Sequence, residues 1–204
     1  HLETMKYSCF FILVVAALQS CLLAVNGCPN IVSRSEWGAR SPSGSTFMST
    51  PVDYFVVHHT AGASCSDISS CSSVMRGIQN YHMDSNGWWD IGYNFLIGGD
   101  GNVYEGRGWD TTGAHAGVAE YNTNSIGVSM MGEFSSSMPT QAALNALDDF
   151  VTCAITMGKL VPDVYAVLGH QDVKSTSCPG TLFYLDHVQQ MTNYNGPSLE
   201  ECIQ

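Results

Sequence analysis

The sequence predicts a single α/β domain, one β-sheet covered by helices, and three observations carry that reading. Aromatic and β-branched runs of strand length alternate with longer stretches whose apolar residues recur at helical spacing. No internal repeat and no long linker interrupts the alternation, so nothing divides the chain. A chain of 204 residues, 45% of them hydrophobic, can also bury a sizeable core without needing metal or disulfides merely to fold.

The N-terminal segment stands apart from that domain. Met5-Lys6 precedes the apolar run Phe10 to Val15 and Ala16-Ala17-Leu18, and small residues near Val25-Asn26-Gly27 suit a cleavage site. Residues 1–27 are therefore expected to be leader residues and a secretory signal peptide, with 28–204 as the folded domain of a secreted, extracellular protein. The apolar stretch is shorter than the ~20 residues a membrane span prefers, and it contains Gln19 and Ser20, so stable membrane insertion is not expected.

Within the domain, Val52 to His58 (Val-Asp-Tyr-Phe-Val-Val-His) is the first strand candidate. A helix follows from about Ile68 to Met83, where Val74, Ile78, Tyr81 and His82 recur at helical spacing. Tyr93 to Ile97, Val103 to Tyr104 and Ile126 to Met130 supply three more strands, the first two separated by the loop Gly98-Gly99-Asp100-Gly101-Asn102. Thr140 to Met157, with Leu144, Leu147, Phe150 and Val151 on one stripe, is the second helix. Val164 to Leu168 is the fifth strand, and Thr181 to Met191 the third helix.

Charge narrows the partners. A formal net charge of -11, with 7 Lys and Arg against 18 Asp and Glu, leaves no basic face to displace counterions from phosphates, so a sequence-independent nucleic-acid binder is excluded. The acidic pairs Asp148-Asp149 and Glu200-Glu201 read as solvated charge.

Cysteine usage suits an oxidising compartment. Cys9 and Cys21 leave with the signal peptide, and Cys28, Cys65, Cys71, Cys153, Cys178 and Cys202 remain. Cys65 and Cys71 enclose the short loop Ser-Asp-Ile-Ser-Ser and form the local pair, while Cys28 and Cys153 are available for a long-range staple. Cys178 has two readings: a bridge to Cys202, or a thiolate ligand that leaves Cys202 over.

Chemistry is expected where strands end in histidines. Phe55-Val56-Val57-His58-His59-Thr60-Ala61-Gly62 runs from a buried strand into a small-residue loop, and Tyr165-Ala166-Val167-Leu168-Gly169-His170 does the same. If the two strands are neighbours, His58 and His170 converge and Cys178 can return across the loop as a third ligand. Two imidazoles and one thiolate leave a fourth position open, the pattern of a catalytic zinc site. Strand alternation places His58 and His59 on opposite faces, so one of them is the ligand. No HExxH helix, GxSxG elbow or Gly-rich phosphate loop offers a competing chemistry.

These residues, with Ile31-Val32-Ser33-Arg34-Ser35-Glu36-Trp37, Gly92-Tyr93-Asn94-Phe95-Leu96-Ile97-Gly98, Val103-Tyr104-Glu105-Gly106-Arg107-Gly108-Trp109, Gly113-Ala114-His115 and Gly169-His170 through Cys178-Pro179-Gly180, resemble a short secreted peptidoglycan recognition protein. The resemblance spans about residues 28 to 195. It implies an amidase-like fold related to phage-type lysozyme amidases, with a central mixed sheet flanked by about three helices. It also implies a Zn2+ site at His58, His170 and Cys178, with Tyr93 and Thr176 as catalytic groups beside it. By the same match, His59, Thr60, His82, Gly87, Trp88, Tyr93 and Arg107 line a cleft for bacterial peptidoglycan and muropeptides. The resemblance further implies a preference for meso-diaminopimelate stem peptides, since the combination matching Gly87, Trp88 and Arg107 is associated with it in the family. The implied activity is N-acetylmuramoyl-L-alanine amidase, in innate immunity. The alternative is a non-catalytic peptidoglycan-binding receptor, in which another residue commonly replaces the cysteine.

Overall fold

Six strands pair into one mixed sheet in the computed structural model, which describes residues 27–196. In chain order they are β1 (Ile31–Val32), β2 (Tyr54–His59), β3 (Phe95–Ile97), β4 (Val103–Glu105), β5 (Ser125–Met130) and β6 (Ala166–Gly169), arranged β1-β4-β3-β5-β2-β6. β2 runs parallel to β5 and β6, β5 parallel to β3 and β1 parallel to β4, while β3 and β4 are antiparallel. The signal-peptide expectation and Cys9, Cys21, Cys202 and Glu200-Glu201 lie outside the described residues.

Register sorts the side chains. Phe55, Val57, Phe95, Ile97, Ile126, Val128 and Met130 share one face and bury it against α3 (Gln141–Thr156), whose Leu144, Leu147, Phe150 and Val151 point inward. Phe150 packs edge-on to Phe95 at 4.8 Å and stacks on Trp109 at 4.9 Å between ring centroids. Towards the β1 and β4 edge, the opposite face carries Val32, Leu96 and Tyr104 with Trp37 and Ile91, covered by Met75 of α1 (Ile68–Asn80). β2 is central and buried on both faces, which explains why it reads as a continuous apolar run. Each long helix starts at a side-chain cap. The Asp67 carboxylate accepts from the Ser70 N–H at 2.9 Å, and Thr140 Oγ1 from the Ala143 N–H at 3.2 Å.

Several boundaries differ from the sequence reading. β1 was not expected, because two residues carry no periodicity and exist as a strand only through pairing with Val103 and Tyr104. Tyr93 and Asn94 precede β3 rather than starting it, since their carbonyls accept from the N–H groups of Arg107, Gly106 and Gly108. The first helix ends at Asn80 and continues as a π-helical turn, Tyr81–Ser85. Val164 stands 70% exposed outside β6. The last helix is divided into α5 (Thr181–Asp186) and a 3-10 turn at Val188–Gln190, and two short helices, α2 (Ala119–Thr123) and α4 (His170–Val173), were not foreseen.

Both expected disulfides are present. Cys28–Cys153 ties the start of the described chain to α3, and Cys65–Cys71 ties the preceding loop to the first turn of α1.

Candidate metal centre and groove

β2 and β6 are adjacent, with Val57 opposite Gly169, so His58 and His170 leave the sheet side by side at the carboxyl ends of two parallel strands. The rings lie 4.4 Å apart between centroids. The loop after α4 then returns Cys178, whose Sγ is 3.7 Å from His58 Nδ1 and 3.3 Å from the His59 backbone nitrogen. One ligand atom from each of His58, His170 and Cys178 falls within 4.8 Å of the others. Tetrahedral zinc with two nitrogens and one sulfur needs separations of roughly 3.3–3.6 Å, so the donor set suits that ion, and the widest pair would have to close by on the order of an ångström. Cys178 forms no bridge with any described cysteine.

The electrostatics suit a metal as well. His58 is 1% exposed, and burial, followed by the neighbouring His115, His170 and His59, holds its imidazole well below the usual histidine range. His170 is lowered too, mainly by burial. Both rings therefore offer lone pairs at neutral pH. The Nε2–H of His170 donates to the Ala116 carbonyl at 3.1 Å, which leaves its Nδ1 for a ligand. Burial pushes the Cys178 thiol up to about 12, while the His59 N–H favours the thiolate.

Alternation is obeyed at the histidine pair. His58 shares a face with Ser129, its register partner on β5. His59 turns to the other face, where its Nδ1 accepts from the Phe134 N–H at 3.4 Å and lies 3.9 Å from Glu133. His59 is 5% exposed, so it is buried on that face and does not join the ring row that follows.

From the buried centre a row of rings runs out towards the surface, reached at Trp88. Tyr93 lies 5.4 Å from His58, His82 5.8 Å from Tyr93, and Trp88 4.7 Å from His82, all between ring centroids. His82 Nδ1 accepts from the Gly92 N–H at 3.0 Å, and burial ahead of the Arg107 charge lowers its pKa to about 4. Burial, with the Cys178 sulfur second, pushes the Tyr93 phenol up to about 12, so it keeps its proton as a donor. The row ends at a shallow cavity of about 330 Å³ lined by Gly87, Trp88, Trp89, Arg107 and Thr112 among others. Arg107 is anchored there through Nε to the Ile91 carbonyl at 2.7 Å and Nη1 to the Thr112 carbonyl at 2.8 Å. Nη2 makes no hydrogen bond to the described residues.

Two expected site hydroxyls are engaged by backbone. Thr176 is exposed, and its Oγ1 accepts from the Cys178 N–H at 3.3 Å; Thr60 Oγ1 accepts from the Gly132 N–H at 2.9 Å. Sequence reasoning did not assign Ser129, whose buried hydroxyl has no partner among the described residues, nor His115, whose Nδ1 lies 2.9 Å from His58 Nε2. The Gly113-Ala114-His115 motif was the available signal for the second.

The N-acetylmuramoyl-L-alanine amidase family model matches residues 48–181. Peptidoglycan-recognition protein SC2 of Drosophila simulans is 48% identical over 169 residues, covering 83% of this chain and 90% of that protein. Peptidoglycan recognition protein 1 of Bos indicus is 44% identical over 171 residues, covering 84% and 88%. Among solved structures, peptidoglycan recognition protein-LE in complex with tracheal cytotoxin, a monomeric diaminopimelic acid-type peptidoglycan, superposes with a TM-score of 0.78 at 37% identity, covering 84% of this chain and 98% of that one. With the family model matching more than half of its length and such relatives matching most of it, the chain belongs to the peptidoglycan recognition proteins.

Proposed function

We propose that this protein is a secreted, zinc-dependent N-acetylmuramoyl-L-alanine amidase of innate immunity. It binds bacterial peptidoglycan and cleaves the amide between the lactyl group of N-acetylmuramic acid and L-alanine, with meso-diaminopimelate stem peptides preferred. The observation that carries this reading is the convergence of His58, His170 and a buried Cys178, which is bridged to no described cysteine, at the end of the aromatic row. A binding-only groove has no need of three donors converging on one point, and the lone pairs that both imidazoles offer at neutral pH suit a cation.

Zinc held by these three residues supplies Lewis-acid activation of water and of the scissile carbonyl. The remaining work falls to the chain. Tyr93, protonated at neutral pH, donates to the oxygen that gains charge as the carbonyl is attacked. Thr176 braces the Cys178 loop through the Cys178 N–H and turns its own hydroxyl hydrogen to the open side, where it orients water or substrate. The row Tyr93, His82 and Trp88 forms an apolar wall for an extended stem peptide, and Thr60 stands at the end beyond the metal, with His59 turned to the other face of the sheet. At the far end Arg107 presents Nη2 to the extra carboxylate of diaminopimelate and repels the ammonium of a lysine.

Cys178→Ser tests the reading. Zinc content and release of free stem peptide should both fall to near background, while binding to insoluble peptidoglycan persists. Full cleavage by the variant, or by protein thoroughly stripped of zinc, would sink the amidase assignment and leave the receptor reading.

A further inference from the structure

His115 sits behind the metal centre in a slot made for its ring. A Cβ added to Gly127 of β5 would fall 2.3 Å from its Cδ2, and one added to Gly113 2.4 Å from the same atom. Both glycines therefore serve a close approach, not a turn. The loop that carries His115 is pinned in place, because Asn122 Oδ1 accepts from the N–H groups of His115 and Ala116, each at 2.9 Å.

The hydrogen bonds around the ring have a direction. The Tyr121 carbonyl can only accept, so the Ser125 hydroxyl spends its hydrogen there. Ser125 Oγ, 3.4 Å from His115 Nε2, is then left to accept from that nitrogen. A neutral ring with its proton on Nε2 has a bare Nδ1, and His115 Nδ1 faces His58 Nε2 at 2.9 Å. His58 must donate, which leaves its own Nδ1 lone pair pointing towards Cys178 Sγ. One residue further on, the Ala116 carbonyl fixes the proton of His170 on Nε2 in the same way.

We infer that the segment Gly113 to Ala116, together with Ser125, is the tautomer lock of the metal centre: His115 is a positioning residue that holds His58 as its Nε2–H form, while Ala116 does the same for His170. The inference rests on the metal-site reading for its purpose but not for its geometry. The lock works through His58 and touches neither substrate nor the reacting atoms.

The test uses the folded wild-type protein and three variants, His115→Phe, His115→Asn and Ser125→Ala. Nitrogen NMR of zinc-free wild type should find both His58 and His170 as Nε2–H tautomers. Zinc affinity, measured by competition with a chromophoric chelator, should fall about 10- to 100-fold in His115→Phe, which keeps a ring but has no acceptor. His115→Asn places Oδ1 where Nδ1 was and should recover most of that loss, an outcome that mere filling of the slot would not produce. Ser125→Ala leaves ring and slot intact and should show a smaller loss, with the Nδ1–H form of His58 appearing in the spectrum; it carries the test if His115→Phe does not fold. An Nδ1–H tautomer at His58 in wild type, or a folded His115→Phe that binds zinc within about two-fold of wild type, overturns the inference. Should wild type take up no zinc at all, the metal reading fails and the tautomer of His58 alone decides the lock.

Discussion

At Cys178, burial holds the proton on the thiol while the His59 N–H favours the thiolate, and a zinc ion at the proposed site would displace that proton. His82 is the clearer case for solution behaviour, because it stands away from the candidate ligands and its Nδ1 already accepts a hydrogen bond from Gly92. Its folded pKa, about 4, lies below the ordinary value near 6.5. The unfolded chain therefore takes up its proton first as pH falls, so stability is flat above about 6.5 and is lost between about 6.5 and 4. For His82 alone the full loss is at most on the order of 3 kcal/mol. His82→Gln keeps an acceptor that does not titrate, and its melting temperature should fall less than that of wild type between pH 7 and 4.5. Parallel curves would assign the acid loss elsewhere. Arg107 makes the matching case for specificity. Arg107→Ala should reduce the preference for diaminopimelate over lysine stem peptides by about ten- to a hundred-fold, the worth of a charge-assisted pair near 1.5–3 kcal/mol. Calorimetry with muropeptides that differ only at the third residue reads this directly, and an unchanged ratio would show that Arg107 only braces the loop.

Among the elements, α3 depends most visibly on a single side chain. Thr140 Oγ1 accepts from the Ala143 N–H and donates to the Gly99 carbonyl at 2.8 Å, so one hydroxyl starts the helix and fastens it to the β3–β4 loop. Thr140→Ala should cost about 1–2 kcal/mol, read as a lower urea midpoint with unchanged slope, and Thr140→Ser should recover most of it. Elements of this kind were legible in the sequence. The stripe Leu144, Leu147, Phe150 and Val151 and the run Phe55-Val56-Val57 each encode one face, or two, over enough residues to be read. The short elements were not. The two residues of β1, the four of α4 and the five of the π-helical turn are too brief for any period to repeat, and neighbouring chain stabilises them.

Across the whole molecule, Cys28–Cys153 closes a span of 125 residues that includes β2, β3, β4 and β5. A cross-link of that span removes much of the freedom of the unfolded chain, more than the Cys65–Cys71 link with its separation of 6. Replacing both Cys28 and Cys153 by Ser should lower stability by about 2–5 kcal/mol in denaturant while zinc affinity stays near wild type, because neither cysteine touches the centre. A large loss of zinc affinity in a folded double variant would show that the staple also sets the site.

The candidate donors were legible in the chain as two histidines at strand ends and a cysteine in the loop after the second, and so was the local Cys65–Cys71 pair around its short loop. These depend on residue type and local spacing, which sequence carries in full. Tertiary structure decided what passes between distant segments. It made β2 and β6 neighbours and so brought His58 to His170. It anchored Arg107 on two carbonyls with one nitrogen left over, and set His115 between Gly113 and Gly127. Proton positions on the two imidazoles belong to the same class. A tautomer is chosen by the partner across the hydrogen bond, and for His58 that partner lies 57 residues away.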